Sequence, residues 1–196
     1  MIDRDSILDS FLQDSIWSNW KRTHLAGDAS NRKYERLIDQ DTGATVVLMD
    51  SPGNPDDAVV PFVALTDYLA GIGLSPPQVL KSDVTNGLLI IEDLGNDIFA
   101  RHMEEHPKDV ETLYHAAVDV LLQLHKNAPP TGLLHYGPIE MSEVGCLALT
   151  WYARGCDHVV TDTQIYTFQA ELESVLTKVW FGPTVLVQRD YHAENL

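Results

Sequence analysis

The order of strand-like and helix-like segments along the chain predicts an α+β fold. Short apolar segments of strand length, separated by turn residues, crowd into the part of the chain before residue 93. After residue 93, apolar residues recur with the three-to-four-residue spacing of amphipathic helices. Because strands and helices are segregated along the chain, a sheet with helices beside it is favoured. We therefore expect a boundary near residue 93, between residues 1–93 and 94–196.

The composition is that of an ordinary globular protein with an acidic surface. The 196 residues suffice for one large domain or two lobes, and apolar residues make up 44% and charged residues 21%. Acidic residues outnumber basic ones by 29 to 13, for a net charge of −16. Such a surface repels phosphate backbones, so nucleic acid is excluded as a partner.

Neither a membrane segment nor a metal or disulfide framework is visible in the sequence. No apolar run approaches the roughly 20 residues that span a bilayer, and the acidic start Met1–Asp5 lacks a signal core. We therefore expect a cytoplasmic protein without a membrane partner. Cys146 and Cys156 have no C-x-x-C spacing, so buried free thiols are expected.

The first half of the chain predicts two helices and five strands. Apolar residues at helical spacing indicate a helix within residues 3–19. A second helix is expected to begin at Pro61 and to end at Gly71 or Gly73. Strands are predicted at 20–25, 33–38, 44–49, 78–81 and 88–91.

The second half predicts three helices followed by one strand. The helices are expected from Pro107 to Lys126, over 139–154, and over 161–180, and Thr161 or Asp162 can cap the last of them. Their apolar residues are expected to lie in the core, among them Trp151, Tyr152, Ile165, Phe168, Leu172, Val175, Leu176 and Val179. The strand is predicted at Val185–Val187, after Gly182-Pro183.

Polar residues follow this last predicted strand at an informative spacing. Asp190 comes three residues after the strand, and Asn195 lies five residues beyond Asp190. A strand-then-loop can project both side chains into one site. There the carboxylate can orient and deprotonate a hydroxyl, and the amide oxygen can ligate Mg²⁺. The alternative is an ordinary polar loop after a strand.

Two further segments carry candidate binding groups. The segment 26–32, A-G-D-A-S-N-R, is a predicted hairpin loop whose backbone N–H groups could approach phosphates; the alternative is an ordinary turn. The segment 88–95, L-L-I-I-E-D-L-G, is an apolar strand that ends in an acidic pair and a glycine. A buried strand ending in a glycine turn is the simpler interpretation of that second segment.

The run Q-R-D-Y-H-A-E-N-L at 188–196 resembles the kinase catalytic loop H-R-D-x-x-x-x-N, with Gln188 in place of the histidine. The wider run V-L-V-Q-R-D-Y-H-A-E-N-L is similar to that of the aminoglycoside phosphotransferase family, small-molecule kinases with the protein-kinase fold. Within the family, the resemblance is strongest to the amino-sugar kinases that act on N-acetylmuramate and N-acetylglucosamine. It extends to D-A-S-N-R at 28–32 and E-D-L-G at 92–95.

The resemblance implies a bilobal protein-kinase-like fold and ATP-dependent phosphoryl transfer. Residues 1–93 would form a nucleotide-binding lobe with an antiparallel sheet, and residues 94–196 the incomplete first part of a mostly helical lobe. The cofactors would be ATP and Mg²⁺, and the acceptor a small molecule, a sugar by this likeness. The roles it implies are catalysis by Asp190, metal binding by Asn195, phosphate contacts by Ser30, Asn31 and Arg32, and adenine contacts near Glu92 and Leu94.

The sequence also departs from the kinase pattern. Met49 stands where kinases usually place a lysine that pairs with the phosphates. Either Arg32 or Lys33 supplies that charge, which the family resemblance favours, or nucleotide affinity is impaired. A second metal ligand and the helices that shape the acceptor pocket are expected after the catalytic loop.

We therefore expect the chain to be part of a longer kinase and inactive alone; an intact mass near 21.9 kDa would remove this expectation. The alternatives are a non-catalytic nucleotide-binding module, or a kinase for an aminoglycoside, choline or homoserine. The oligomeric state is left open.

Overall fold

The computed structural model describes residues 3–25, 32–53 and 55–196, with the backbone alone for residues 55–58. The chain forms two compact units. The first contains residues 1–124 together with 190–196, and the second contains residues 125–189. The lobe boundary near residue 93 stays a prediction.

The first unit is built on an antiparallel sheet. Within the described residues this sheet has five strands in the order β1-β2-β3-β5-β4. The strands are β1 (Lys21–His24), β2 (Lys33–Ile38), β3 (Thr45–Asp50), β4 (Val79–Asp83) and β5 (Leu88–Glu92). All lie within two residues of the predicted positions. Together with the helices, they confirm the predicted α+β class.

A helix covers each face of this sheet. Successive side chains of a strand point to opposite faces, so apolar strands present an apolar surface on both sides. Helix α1 (Arg4–Gln13) packs on one face through Leu8, Phe11 and Leu12, against Leu37, Val46, Leu48, Leu88 and Ile90. On the other face, Val59 of helix α2 (Pro55–Gly71) belongs to a second cluster, which contains Val47, Met49, Leu89 and Ile91. The strands β3 and β5 are therefore apolar on both faces and form the core.

The start of α2 was predicted wrongly. The helix begins at Pro55 and contains Pro61 in its interior, although Pro61 was expected to be its first residue. A proline removes one backbone donor and usually ends a helix. Here Val59, which precedes it, is fully buried on the sheet. Burial of Val59 against the sheet offsets the missing hydrogen bond.

Two further helices complete the first unit. Helix α3 (Phe99–Glu105) was not predicted, since none of its residues is buried and its apolar pattern is short. A 3₁₀ turn at Pro107–Asp109 leads into α4 (Val110–His125). The predicted helix in this region is confirmed, with a start three residues later than expected.

The second unit is helical. It contains α5 (Pro138–Gly145), a π-helical turn at Ala148–Ala153, and α6 (Asp162–Val179). The predicted cap of α6 is confirmed, because the Thr161 hydroxyl accepts a hydrogen bond from the Gln164 N–H. Gly145 of α5 lies against Leu172 of α6, so an added Cβ there would require the Leu172 side chain to shift.

The predicted core of the second unit was wrong for several residues. None of the residues of α6 is buried, and Val175 and Val179 are 56% and 58% exposed. Trp151 and Tyr152 are about three-quarters exposed, at 76% and 75%. A helical apolar pattern shows that a helix has an apolar face, whereas burial also needs a neighbour that covers it.

The segment Val185–Val187, predicted as a strand, is not one. It belongs to no sheet in the part of the chain that the structure describes. Apolar β-branched residues favour a strand, but a strand is stabilised by the backbone hydrogen bonds of a neighbouring strand. The loop that follows is therefore positioned by other contacts.

The structure also bears on the expected state of the thiols and on the expectation that no segment spans a membrane. Both cysteines are free; Cys146 is buried as expected, whereas Cys156 is exposed. Among the described residues, no helix has the length and apolar character required to cross a membrane.

Candidate active site

The loop at residues 190–196 folds into a turn that joins its two candidate residues. Asn195 Nδ2 donates to the main-chain carbonyl of Asp190 at 2.9 Å, and the Asn195 backbone N–H donates to the His192 carbonyl at 2.8 Å. Both Asp190 and Asn195 are exposed. The five-residue spacing thus places them at the two ends of one turn, with their side chains open to solvent.

The orientation of the Asn195 amide suits a cation ligand. Its Nδ2 faces the Asp190 carbonyl and lies 3.2 Å from His192 Nε2, which directs Oδ1 to the other side. An amide oxygen is a hard donor of the kind that Mg²⁺ takes. No group of three or more His, Cys, Asp or Glu side chains in the described ranges could hold a metal. A cation here would need further oxygens, and Mg²⁺ commonly takes them from phosphates and water.

His192 contacts two neighbours in the loop through its ring nitrogens. Its Nε2 lies 3.2 Å from Asn195 Nδ2, and its Nδ1 lies 3.4 Å from the Glu194 backbone nitrogen. In a neutral imidazole one ring nitrogen is a donor and the other an acceptor, so the tautomer decides which of the two contacts is a hydrogen bond.

Three hydrogen bonds hold the loop on the first unit. The Tyr191 hydroxyl donates to the Ala117 carbonyl in α4 at 2.8 Å. At the start of α3, the Phe99 N–H donates to the Leu196 carbonyl at 2.8 Å and the Ala100 N–H donates to the Ala193 carbonyl at 2.9 Å. These two N–H groups lack acceptors within their own helix, so the loop supplies them.

Sequence reasoning did not assign a role to Tyr191. The signal was an aromatic residue inside an otherwise polar loop, which indicates a buried ring with an anchored hydroxyl. Burial raises the pKa of Tyr191, so the phenol stays protonated and donates at neutral pH.

Arg189 adopts an uncommon backbone conformation. Its φ is +64°, in the left-handed region that non-glycine residues rarely occupy. Within the second unit, its guanidinium lies 5.1 Å from the centroid of the Tyr136 ring, which is a cation–π contact. This contact supports Arg189 in its unusual conformation.

The predicted adenine segment lies at the end of β5. Glu92 is the last residue of β5 and is held there by Gln78: its N–H donates to the Gln78 carbonyl at 2.8 Å, and its Oε2 accepts from the Gln78 N–H at 3.1 Å. Leu94 is 66% exposed. Glu92 is therefore hydrogen-bonded within the sheet, whereas the Leu94 side chain is exposed to solvent.

Between them, Asp93 is bound by an arginine that sequence reasoning missed. Arg36 of β2 donates from Nε to Asp93 Oδ2 at 2.5 Å and from Nη2 to Asp93 Oδ1 at 2.9 Å. Burial raises the pKa of Asp93, but hydrogen bonds from Arg36, the Gly95 N–H and Thr45 outweigh it, so the pKa is lowered overall. The available signal was an arginine inside a predicted strand, directly before the apolar pair Leu37-Ile38.

The predicted phosphate-binding residues are described only in part. Ser30 and Asn31 lie outside the described residues, while Arg32, immediately before β2, is half-buried. Met49 is fully buried in the apolar cluster with Val59 and Leu89. The position where kinases usually have a lysine is therefore part of the core.

The match to known families covers most of the chain. The sequence profile of the phosphotransferase enzyme family matches residues 21–196. The match includes the sheet, residues 92–95, and the loop at residues 190–196, called the closing loop below. The chain belongs to the phosphotransferase enzyme family. The resemblance drawn from the closing loop is thereby confirmed, and the α+β fold agrees with the protein-kinase-like fold of the family.

Three curated proteins are similar to the chain, and each is named N-acetylmuramate/N-acetylglucosamine kinase. The protein from Caulobacter vibrioides is 30% identical, over 99% of this chain and 62% of its own length. The one from Pseudomonas aeruginosa is 29% identical, over 98% and 56%. The one from Neisseria meningitidis serogroup B is 29% identical, over 89% and 52%. The chain thus spans between half and two-thirds of the length of these relatives.

Proposed function

We propose that this phosphotransferase-family chain carries the nucleotide-binding and catalytic-loop part of an ATP-dependent kinase that phosphorylates an amino-sugar hydroxyl. The observation that carries the proposal is the turn that joins Asp190 to Asn195 through a 2.9 Å hydrogen bond. The substrate class follows from the names of the relatives, N-acetylmuramate/N-acetylglucosamine kinase.

Asp190 would act on the acceptor. Its exposed carboxylate holds the acceptor hydroxyl and takes its proton as the hydroxyl oxygen bonds to the γ-phosphorus of ATP. The bond from that phosphorus to the β–γ bridging oxygen breaks, and ADP leaves with the electron pair. Asn195 Oδ1 would hold Mg²⁺ in part, and the ion would supply charge neutralisation when bound. The rest of the catalysis is positioning, which the anchored loop provides.

The nucleotide would lie along the first part of the chain. The adenine edge would meet the backbone near Glu92 and Leu94, with Leu94 the more accessible of the two. The phosphates would meet Ser30, Asn31 and Arg32, and Arg32 or Lys33 would replace the cation that Met49 cannot supply. In this proposal residues 1–93 form the nucleotide-binding lobe and residues 94–196 begin the helical lobe.

The role of Asp190 is tested by Asp190→Ala in the full-length protein, with ATP and N-acetylmuramate or N-acetylglucosamine as substrates. We expect turnover to fall by at least about 100-fold, since general-base catalysis contributes about 10²–10⁴-fold. Glu194→Gln is the matched control, because it removes an exposed carboxylate from the same loop. Undiminished turnover of Asp190→Ala would exclude the assigned base.

A second candidate function is a nucleotide-binding module without catalysis. Two observations favour it: Met49 is fully buried, so its position cannot contact phosphates, and Gln188 replaces the usual histidine. The discriminating result is stabilisation by Mg·ATP without phosphorylation of an acceptor panel of amino sugars, an aminoglycoside, choline and homoserine. Phosphorylation of one acceptor class would identify the substrate and exclude the module.

A further inference from the structure

Arg36 of β2 binds a carboxylate that lies two strands away in the sheet. In the sheet order, β2 is separated from β5 by β3, a distance of about 9–10 Å at the usual strand spacing. Arg36 lies opposite Val47 of β3, and its side chain extends past β3 to Asp93, directly after β5. The Arg36 and Asp93 side chains are only 17% and 3% exposed.

This ion pair determines the conformation of the turn at residues 93–95. The guanidinium binds both carboxylate oxygens of Asp93, and its Nη2 also donates to the Gly95 carbonyl at 3.3 Å. The Gly95 N–H in turn donates to Asp93 Oδ1 at 3.0 Å. Gly95 has a φ of +88°, which a residue without a Cβ adopts readily. One guanidinium thus restrains both ends of the turn, with Leu94 between them.

We propose that Arg36 is a positioning residue for the nucleotide base: by holding Asp93 and Gly95, it presents the backbone groups around Leu94 to the adenine edge. The inference rests on the proposed nucleotide-binding function and deepens it by assigning base selection to this turn. Adenine offers a donor at N6 and an acceptor at N1, and guanine offers the reverse pattern at the corresponding positions. A backbone turn held in one conformation distinguishes the two, because its N–H and C=O groups cannot rearrange to suit guanine.

The geometry requires an arginine rather than any cation. The planar fork of the guanidinium donates to two carboxylate oxygens and one carbonyl at once, whereas a lysine ammonium is a compact point charge. Arg36→Lys therefore keeps the positive charge beside Asp93 but cannot make the hydrogen bonds to both Asp93 and Gly95. Asp93→Asn keeps the shape of the partner but replaces one acceptor oxygen with a donor that faces the guanidinium.

The test measures binding of Mg·ATP and Mg·GTP by isothermal titration calorimetry, with circular dichroism to establish that each variant is folded. We expect wild type to prefer ATP. In Arg36→Lys and Asp93→Asn, ATP affinity should fall about tenfold, or 1.4 kcal/mol, while GTP affinity changes much less, so the preference shrinks. Where catalysis is measurable, the KM for ATP should rise more than kcat falls.

Arg22→Lys is the matched control. Arg22 donates from Nε to Glu35 Oε2 at 2.5 Å on the neighbouring strands β1 and β2, so it forms an arginine–carboxylate pair that does not contact residues 93–95. Arg22→Lys should leave the affinities for Mg·ATP and Mg·GTP unchanged.

Three results would overturn the positioning role. They are an equal loss of ATP and GTP affinity in Arg36→Lys, unchanged affinities for both nucleotides in Arg36→Lys, and no preference for ATP in wild type. Absence of any Mg·ATP binding by wild type would instead overturn the proposed function itself.

Discussion

At the residue scale, neighbouring residues in the closing loop orient the side-chain amide of Asn195, a residue type that can ligate a metal ion. An Asp and an Asn five apart can take part in phosphoryl transfer only if their side chains are presented together. Here the Asn195 amide nitrogen is bound to the Asp190 carbonyl, and His192 contacts the same nitrogen. The amide oxygen is therefore directed by hydrogen bonds of the loop itself.

Tyr191→Phe is expected to loosen this loop. The substitution removes the hydroxyl that donates to the Ala117 carbonyl, so the free energy of unfolding should fall by about 0.5–1.5 kcal/mol. Urea denaturation followed by circular dichroism measures the change. Tyr152→Phe is the control, since Tyr152 is exposed. An equal loss of stability in both variants would contradict the anchoring role.

The Asp93 carboxylate predicts a stability change in acid. Its pKa in the folded protein is lowered, below the value of about 3.9 for an unfolded aspartate. Its contribution to the free energy of unfolding is therefore complete above about pH 4, and it is lost as the pH falls through the lower folded pKa.

The corresponding measurement is urea denaturation of wild type and Asp93→Asn between neutral pH and pH 2. At neutral pH Asp93→Asn should be less stable than wild type, and the difference should shrink below pH 4. Asp119→Asn, which changes an exposed carboxylate on α4, serves as the control. A difference that stays constant down to pH 2 would show that Asp93 does not titrate as proposed.

At the element scale, β3 explains why the lysine of the kinase pattern has no counterpart in this chain. Every residue from Val46 to Asp50 is buried, because the strand lies between β2 and β5 and is covered on both faces. Met49 fills the apolar cluster between the sheet and α2. A cation at this position would lie in apolar surroundings.

Met49→Lys is therefore expected to destabilise the protein rather than to improve nucleotide binding. A buried charge without a partner costs about 3–5 kcal/mol, so chemical denaturation should show a loss in that range. Met49→Leu, which nearly conserves volume, should cost less than about 1.5 kcal/mol. If Met49→Lys kept wild-type stability and bound Mg·ATP more tightly, the position would have access to the nucleotide and the role of Arg32 or Lys33 would be unnecessary.

At the scale of the whole molecule, the two units differ in how much apolar surface they bury. In the first, β3 and β5 form a core covered by α1 and α2. In the second, α6 is an 18-residue helix without a buried residue. Local stability follows buried apolar contacts, so the units should open with different free energies.

Hydrogen exchange measured by mass spectrometry is the test of this difference. Peptides from β3 and β5 should show the slowest exchange, and peptides from α6 should exchange earlier at the same pH and temperature. The α4 helix, which has Ala117 and Leu124 buried, is an internal reference for a helix with a buried face. Protection in α6 equal to that in β5 would contradict the expectation.

Much of the sheet and the family were predictable because both leave local patterns in the sequence. Alternating and apolar runs located all five strands, and the bounds of β2 were predicted to the residue. The run V-L-V-Q-R-D-Y-H-A-E-N-L, together with D-A-S-N-R at 28–32 and E-D-L-G at 92–95, was sufficient to indicate the family. The roles of Asp190 and Asn195 stay predictions. In contrast, the start of α2 depends on burial against the sheet, which overrides the usual effect of Pro61.

The sequence by itself determined the fold class, the strand positions, the acidic surface and the residue types of the closing loop, since each is a property of composition or short-range periodicity. Only the tertiary structure decided that Met49 is core, that no residue of α6 is buried, and that Arg36 binds Asp93. Arg36 and Asp93 are 57 residues apart in the chain. They meet because the strand order places β3 between them and lets a long side chain cross it, and no local pattern encodes that order.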